Sequence, residues 1–162
     1  MASRRIRIVV NSLGDFVDQV IKKIVLDIVA NLKRAPSEGG TPVDTGWARA
    51  NWIPNIGSPR SGTAGQRPDE GGRADTGAQD AGVAEVLTSY TARRGAVHIT
   101  NNVPYIVFLN AGTSRQAPAG FVERAIQKAV RQDLPSALAG GATPRGTPPR
   151  DPVTGRFLRR RG

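Results

Sequence analysis

Between Leu13 and Leu32 the apolar side chains recur at three- and four-residue steps: Leu13, Phe16, Val17, Val20, Ile21, Ile24, Val25, Ile28, Val29 and Leu32. That spacing places them on one broad face of a 3.6-residue helix, and so broad a face demands a partner layer. Asn11 or Ser12 is the expected N-cap, and Asp15 and Asp18 suit the positive end of the helix dipole. Lys33 and Arg34 suit the negative end, and Pro36 bars continuation. Asp18, Lys22, Lys23, Asp27 and Asn31 interrupt the apolar stretch at a cost that lipid would make severe, so the segment is not read as a membrane span. No secretory leader is read before it.

The rest of the chain must supply that partner layer from sparse material. Nineteen Gly and twelve Pro among 162 residues leave much of it unsuited to a packed interior, and the length fits one domain. Residues 5–10 alternate Ile6, Ile8 and Val10 with Arg5 and Arg7, which predicts a short strand. Residues 46–53, bounded by a turn signal and Pro54, predict a second strand carrying Trp47 and Trp52. Residues 54–82 are rich in Gly and Pro and predict a long loop. Thr76 to Gln79 has the form of a capping box, followed by Val83, Val86, Leu87 and Tyr90 at helical steps, with Gly82 weakening the helix. Residues 96–100 alternate as a strand around His98, whose ring is expected to face outward. Asn101, Asn102 and Pro104 then turn the chain. Tyr105, Phe108 and Leu109 fit one helical turn stopped by Gly112, with Tyr105 and Phe108 expected in the core. Pro118 is placed in the first turn of a last amphipathic helix, Phe121 to Leu134, ending at Pro135. The expected class is α+β: a long N-terminal and a C-terminal helix packed on a small, mainly antiparallel sheet, with an extended loop at 54–82. The domain is read as 1–139, followed by a basic Gly/Pro/Arg-rich arm at 140–162.

Side-chain chemistry narrows the functions. The chain has no cysteine and one histidine, which removes thiol nucleophiles, thiolate metal sites and triads needing a second imidazole. Asp69, Glu70, Asp75 and Asp80 lie in the Gly-rich stretch without metal-ligand spacing. Thr41 to Gly46 lacks the lysine of a phosphate loop. No catalytic, metal or cofactor-binding residue is assigned, and an enzyme is not expected. The formal charge of +10 sits at the ends: residues 1–34 carry seven Lys/Arg against three acids, and residues 140–162 carry six Arg against Asp151. Arg145, Arg150, Arg156, Phe157, Arg159, Arg160 and Arg161 are therefore the expected partner-contact arm, read as docking on protein, with non-specific DNA contact as the alternative.

Three ordered segments carry a resemblance. They are Thr41-Pro-Val-Asp-Thr-Gly-Trp-Ala-Arg-Ala-Asn-Trp52, Asn101-Asn-Val-Pro-Tyr-Ile-Val-Phe-Leu-Asn-Ala-Gly112 and Gln116-Ala-Pro-Ala-Gly-Phe-Val122. Together they resemble the neck and tail-completion family of long-tailed bacteriophages, which includes the lambda-like minor tail protein Z and prophage relatives. Relatives often carry an acidic residue before the glycine of the second segment, where this chain has Asn110-Ala111. The resemblance implies a structural virion subunit, assembled in the host cytoplasm, in a ring at the head-proximal end of the tail. It implies six copies, with twelve as the alternative, and contacts with tail-tube or terminator and head-connector proteins. Read from the residues alone, Asp44, Thr45 and Gly46 form a turn with Gly46 at positive φ, Trp52 is structural, and Asn102 with Pro104 is a second turn whose amide could bridge subunits.

Overall fold

The helical period that dominates the sequence governs the architecture, and it extends further than expected. The structure is a computed structural model describing residues 2–69 and 72–141, with side chains over 11–69 and 72–134. The first helix, α1, runs Ala2–Lys33, about 48 Å at 1.5 Å per residue. It absorbs the strand expected at 5–10 and leaves no N-cap role for Asn11 or Ser12. The physical reason lies in the pattern: Ile6, Val9, Val10 and Leu13 also fall at helical steps. A helix already nucleated downstream adds one internal hydrogen bond per residue, whereas a strand needs an edge to pair with.

The remaining elements are α2 (Trp47–Ala50), β1 (Ile53–Ile56), α3 (Gly77–Ser89), β2 (Val97–Thr100), α4 (Ile106–Asn110) and α5 (Phe121–Gly141). Short 3-10 turns lie at Pro36–Glu38 and Ala92–Arg94. The fold is α+β, with long first and last helices and, among the described residues, one two-stranded antiparallel sheet. Its register pairs Ile53 with Thr100, Pro54 with Ile99, Asn55 with His98 and Ile56 with Val97.

The strand expected at 46–53 is instead one helical turn followed by β1. Gly46 takes φ 81°, a left-handed conformation that turns the chain sharply, and the Ala50 N–H closes back on the Gly46 carbonyl at 2.9 Å. The loop expected at 54–82 is shortened at both ends, by β1 and by the first turn of α3. Gly82 has a purpose that helix propensity concealed. A Cβ there would lie 2.5 Å from the Pro54 carbonyl oxygen, so its absence lets α3 settle directly on β1. Pro54, lacking an N–H, is tolerated because a two-stranded sheet leaves each strand one unpaired side.

Two apolar clusters result. Leu32, Ala48, Trp52, Val103, Ile106, Phe121 and Ala125 form one; Val25, Val86 and Tyr90 form the other, and Ile99 packs against both. α5 lies along α1, with Val29 and Ala129 buried and the Asn31 amide donating to the Ala125 carbonyl at 3.2 Å. At this seam Lys23 bridges Asp27 (2.7 Å) and the buried Asp133 (2.5 Å). Pro135 does not end α5, which continues to Gly141. The proline forfeits a single bond to the carbonyl four residues back, and Ala137, Leu138 and Ala139 favour continuation. Pro118 lies before α5 and not within its first turn.

Candidate functional site

The three segments singled out in the sequence meet along one seam. The Trp52 indole N–H donates to Thr41 Oγ1 at 2.8 Å, and the Thr41 hydroxyl donates to the Leu32 carbonyl at 2.8 Å. Thr41 thus couples the end of α1 to the tryptophan of β1's approach, and both residues are buried. The Gln116 side-chain amide pairs with the backbone of Val43 in both directions: Val43 N–H to Gln116 Oε1 at 2.7 Å, and Gln116 Nε2 to the Val43 carbonyl at 2.8 Å. The Asn101 amide donates to the Ala48 carbonyl at 2.7 Å and accepts the Val103 N–H at 3.2 Å. Trp47 and Tyr105 pack with ring centroids 6.1 Å apart.

The expected turns exist, with altered partners. Gly46 and Gly112 have positive φ, 81° and 91°. Asp44 accepts an ion pair from Arg67 at 2.8 Å, so the long loop is drawn back over the seam. Arg67 also lies 5.9 Å from the centre of the Tyr105 ring. Burial raises the Tyr105 phenol above its ordinary range, while the Arg67 guanidinium acts in the opposite sense. Asn102, beside the exposed Pro104, donates to the Arg60 and Gly62 carbonyls at 2.8 and 2.9 Å, so this amide bridges the chain to its own loop. Tyr105 is half-buried and packs against the first apolar cluster, but Phe108 is 63% exposed beside Val107 at 72%. α4 is a single turn with the core on one side, and Phe108 falls on the other. His98 is half-buried opposite Asn55 and belongs to neither apolar cluster.

Three polar residues not singled out as sites organise this region. Asn51 is buried and holds Ala64 in both directions, accepting its N–H at 2.7 Å and donating to its carbonyl at 3.3 Å. Asn110 accepts the Val122 N–H at 3.1 Å, capping α5, while its amide nitrogen holds both Glu123 oxygens at 3.0 Å. The Glu123 carboxyl is held below its ordinary range by its own backbone N–H first and by Asn110 next. Gln79 does not close a capping box; it is buried and donates to the Arg49 and Trp52 carbonyls at 3.0 and 3.1 Å. Its signal was available, because Gln79, Val83, Val86 and Tyr90 share one helical face, and a polar residue on an apolar face needs buried partners.

Between the segments lies a cavity of about 300 Å³ lined by Pro42, Val43, Asp44, Trp47, Arg67, Tyr105, Leu109 and Gln116, among others. Among the described residues no group of three or more His, Asp or Glu is placed to hold a metal ion, and no helix is long and apolar enough to cross a membrane. The arm residues Arg145, Arg150, Arg156, Phe157, Arg159, Arg160 and Arg161 lie outside the described residues. No family model, curated protein or solved structure matches this chain.

Proposed function

We propose that this chain is a non-enzymatic structural subunit of a long-tailed phage or phage-like particle, forming a ring at the head-proximal end of the tail. The observation that carries the reading is a pair of separate apolar faces on one subunit. Leu13, 61% exposed, and Val17 lie on the first half of α1; Val107 and Phe108 lie on α4. α4 packs near Leu32, and Leu13 is about 28 Å up the helix from that point. Two different apolar faces far apart on one molecule suit head-to-tail contacts, which form a ring when the rotation from one subunit to the next closes. The motif residues support a scaffold role, since the side chains of Thr41, Asp44 and Asn101 are engaged with Trp52, Arg67 and Ala48, and the Val43 backbone with Gln116. The virion setting, the six-fold ring and the neighbours at tail and connector come from the motif resemblance.

Native mass spectrometry and electron microscopy test the reading. The full chain is expected to form a closed ring alone or on tails, and Phe108→Asp with Val107→Asp is expected to yield folded subunits that do not close. A chain that stays monomeric and never joins tails sinks the proposal. Retention on DNA that is lost with residues 140–162, without any tail or connector binding, replaces it with the DNA-contact alternative.

A further inference from the structure

The two-stranded sheet is closed along one edge and open along the other. On β1, a Cβ at Gly82 would come 2.5 Å from the Pro54 carbonyl oxygen, so α3 lies against the outer edge of that strand. On β2, the ladder decides which backbone groups are spare. The Gly57 N–H donates to the Ala96 carbonyl at 2.8 Å, and bonded pairs alternate in an antiparallel ladder, so Asn55 with His98 and Ile53 with Thr100 are the next bonded pairs. The N–H and C=O of Val97 and Ile99 therefore point away from β1. Among the described residues no hydrogen bond reaches these four groups.

The apolar floor beside that edge is incompletely covered as well. Val97, Ile99 and Ile21 of α1 pack against Val25, Val86 and Tyr90, yet each stays half-buried. Residues 95–102 include no Lys, Arg, Asp, Glu or Pro, the residues that commonly guard a free edge. An extended segment with apolar residues at alternate positions answers both deficits: its backbone takes the four groups, and its inward side chains cover the floor.

The chain itself carries such a segment. Residues 142–152 contain Pro144, Pro148, Pro149 and Pro152, and the proline-free stretch that follows, Val153-Thr-Gly-Arg-Phe-Leu158, puts Val153 and Phe157 on one side of an extended chain. Its tether is long enough. Asn31 meets Ala125 and Lys23 meets Asp133, an antiparallel register that sets Gly141 level with Asp15. Ile21 and Val25, beside the open edge, lie about 9–15 Å along α1 from that level. Residues 142–152 span up to about 36 Å when extended, which covers that rise and a crossing of about 10 Å over α1. A tethered segment acts at millimolar effective concentration, which favours it over an untethered strand of equal complementarity.

We propose that Val153–Leu158 of this same chain adds a third strand along β2, bonding the outward groups of Val97 and Ile99 and laying Val153 and Phe157 over the floor at Ile21. The contact stands independently of the ring reading.

The test is hydrogen exchange of the isotope-labelled full chain followed by NMR, in the parent and in Gly155→Pro with Arg156→Pro. Two consecutive prolines place one at a bonding position whichever alternation the segment uses. The Val97 and Ile99 amides are expected to be protected in the parent and to exchange about tenfold faster or more in the variant, while those of His98 and Thr100, which bond β1, keep their protection. Labelled variant refolded with an excess of unlabelled parent is expected to stay fast. Three results overturn the proposal: Val97 and Ile99 amides that exchange at free-chain rates in the parent, protection unchanged in the variant, or protection restored by the unlabelled parent, which would assign the edge to another copy.

Discussion

Gln116 binds the backbone of Val43 as a strand neighbour would, offering one donor and one acceptor at 2.8 and 2.7 Å across 73 residues of sequence. Gln116→Ala removes both bonds and frees the turn before α2. Because they are exposed, the expected loss is about 1–2 kcal/mol, read as a lower urea midpoint with an unchanged slope. Gln116→Glu is expected to be worse than Gln116→Ala at pH 7, since a carboxylate oxygen would replace the donor facing the Val43 carbonyl. Equal midpoints for the two variants would contradict this account.

Gly82→Ala opposes two effects. Alanine favours the helix by about 1 kcal/mol, but its Cβ would press on the Pro54 carbonyl oxygen at 2.5 Å. Overpacking against backbone typically costs about 1–3 kcal/mol, so net destabilisation is expected. A variant melting at or above the parent temperature would show that α3 can lift from β1 without loss.

Asn110→Asp places a carboxylate opposite Glu123, where an amide nitrogen now sits 3.0 Å from both oxygens. The cap on Val122 survives, because the accepting oxygen is retained. The variant is expected to be less stable than the parent at pH 7 and to recover relative to it as pH falls and the carboxyl pair takes up a proton. Asn110→Ala is expected to lose about 1 kcal/mol through the missing cap, without that recovery. Thermal melts at pH 7 and pH 4 separate the two patterns.

Asp27 is held below its ordinary range chiefly by its hydrogen bond from Lys23. A carboxylate depressed in the folded state contributes stability above its unfolded pKa, and loses it as pH falls through the folded value. Asp27→Asn is therefore expected to lower the melting temperature at neutral pH and to approach the parent in acid. Lys23 is shifted upward, most by Asp133, so its contribution is complete below its unfolded value and fades in strong alkali. A parent-to-variant gap that stays constant from pH 7 to pH 2 would count against this role for Asp27.

Periodicity made the two long helices legible, because each has enough apolar repeats to exclude the competing period, while β2 is legible from the alternation of Val97 and Ile99 and from the turn residues that bound it. Six residues at 5–10 satisfied both periods, and only the continuous helix downstream decided between them. Trp47 and Trp52 suggested a strand by composition, but Gly46 and the alanines of α2 allow a helical turn first. The motif segments were visible as turns. Their coupling was not, because Gln116, Asn51 and Asn102 act on backbone groups 73, 13 and about 40 residues away, and backbone carries no sequence label. Phe108 was assigned inward from the usual fate of phenylalanine, which a single-turn helix with two faces does not respect.

The packing of α1 on α5 also sets an order in time. Asn31 waits for Ala125, 94 residues later, and at about 5–20 residues per second of synthesis that interval lasts about 5–20 s. Throughout it, the broad apolar face of α1 has no α5 to cover it, and the nascent chain is a substrate for holding chaperones or for premature association with its siblings.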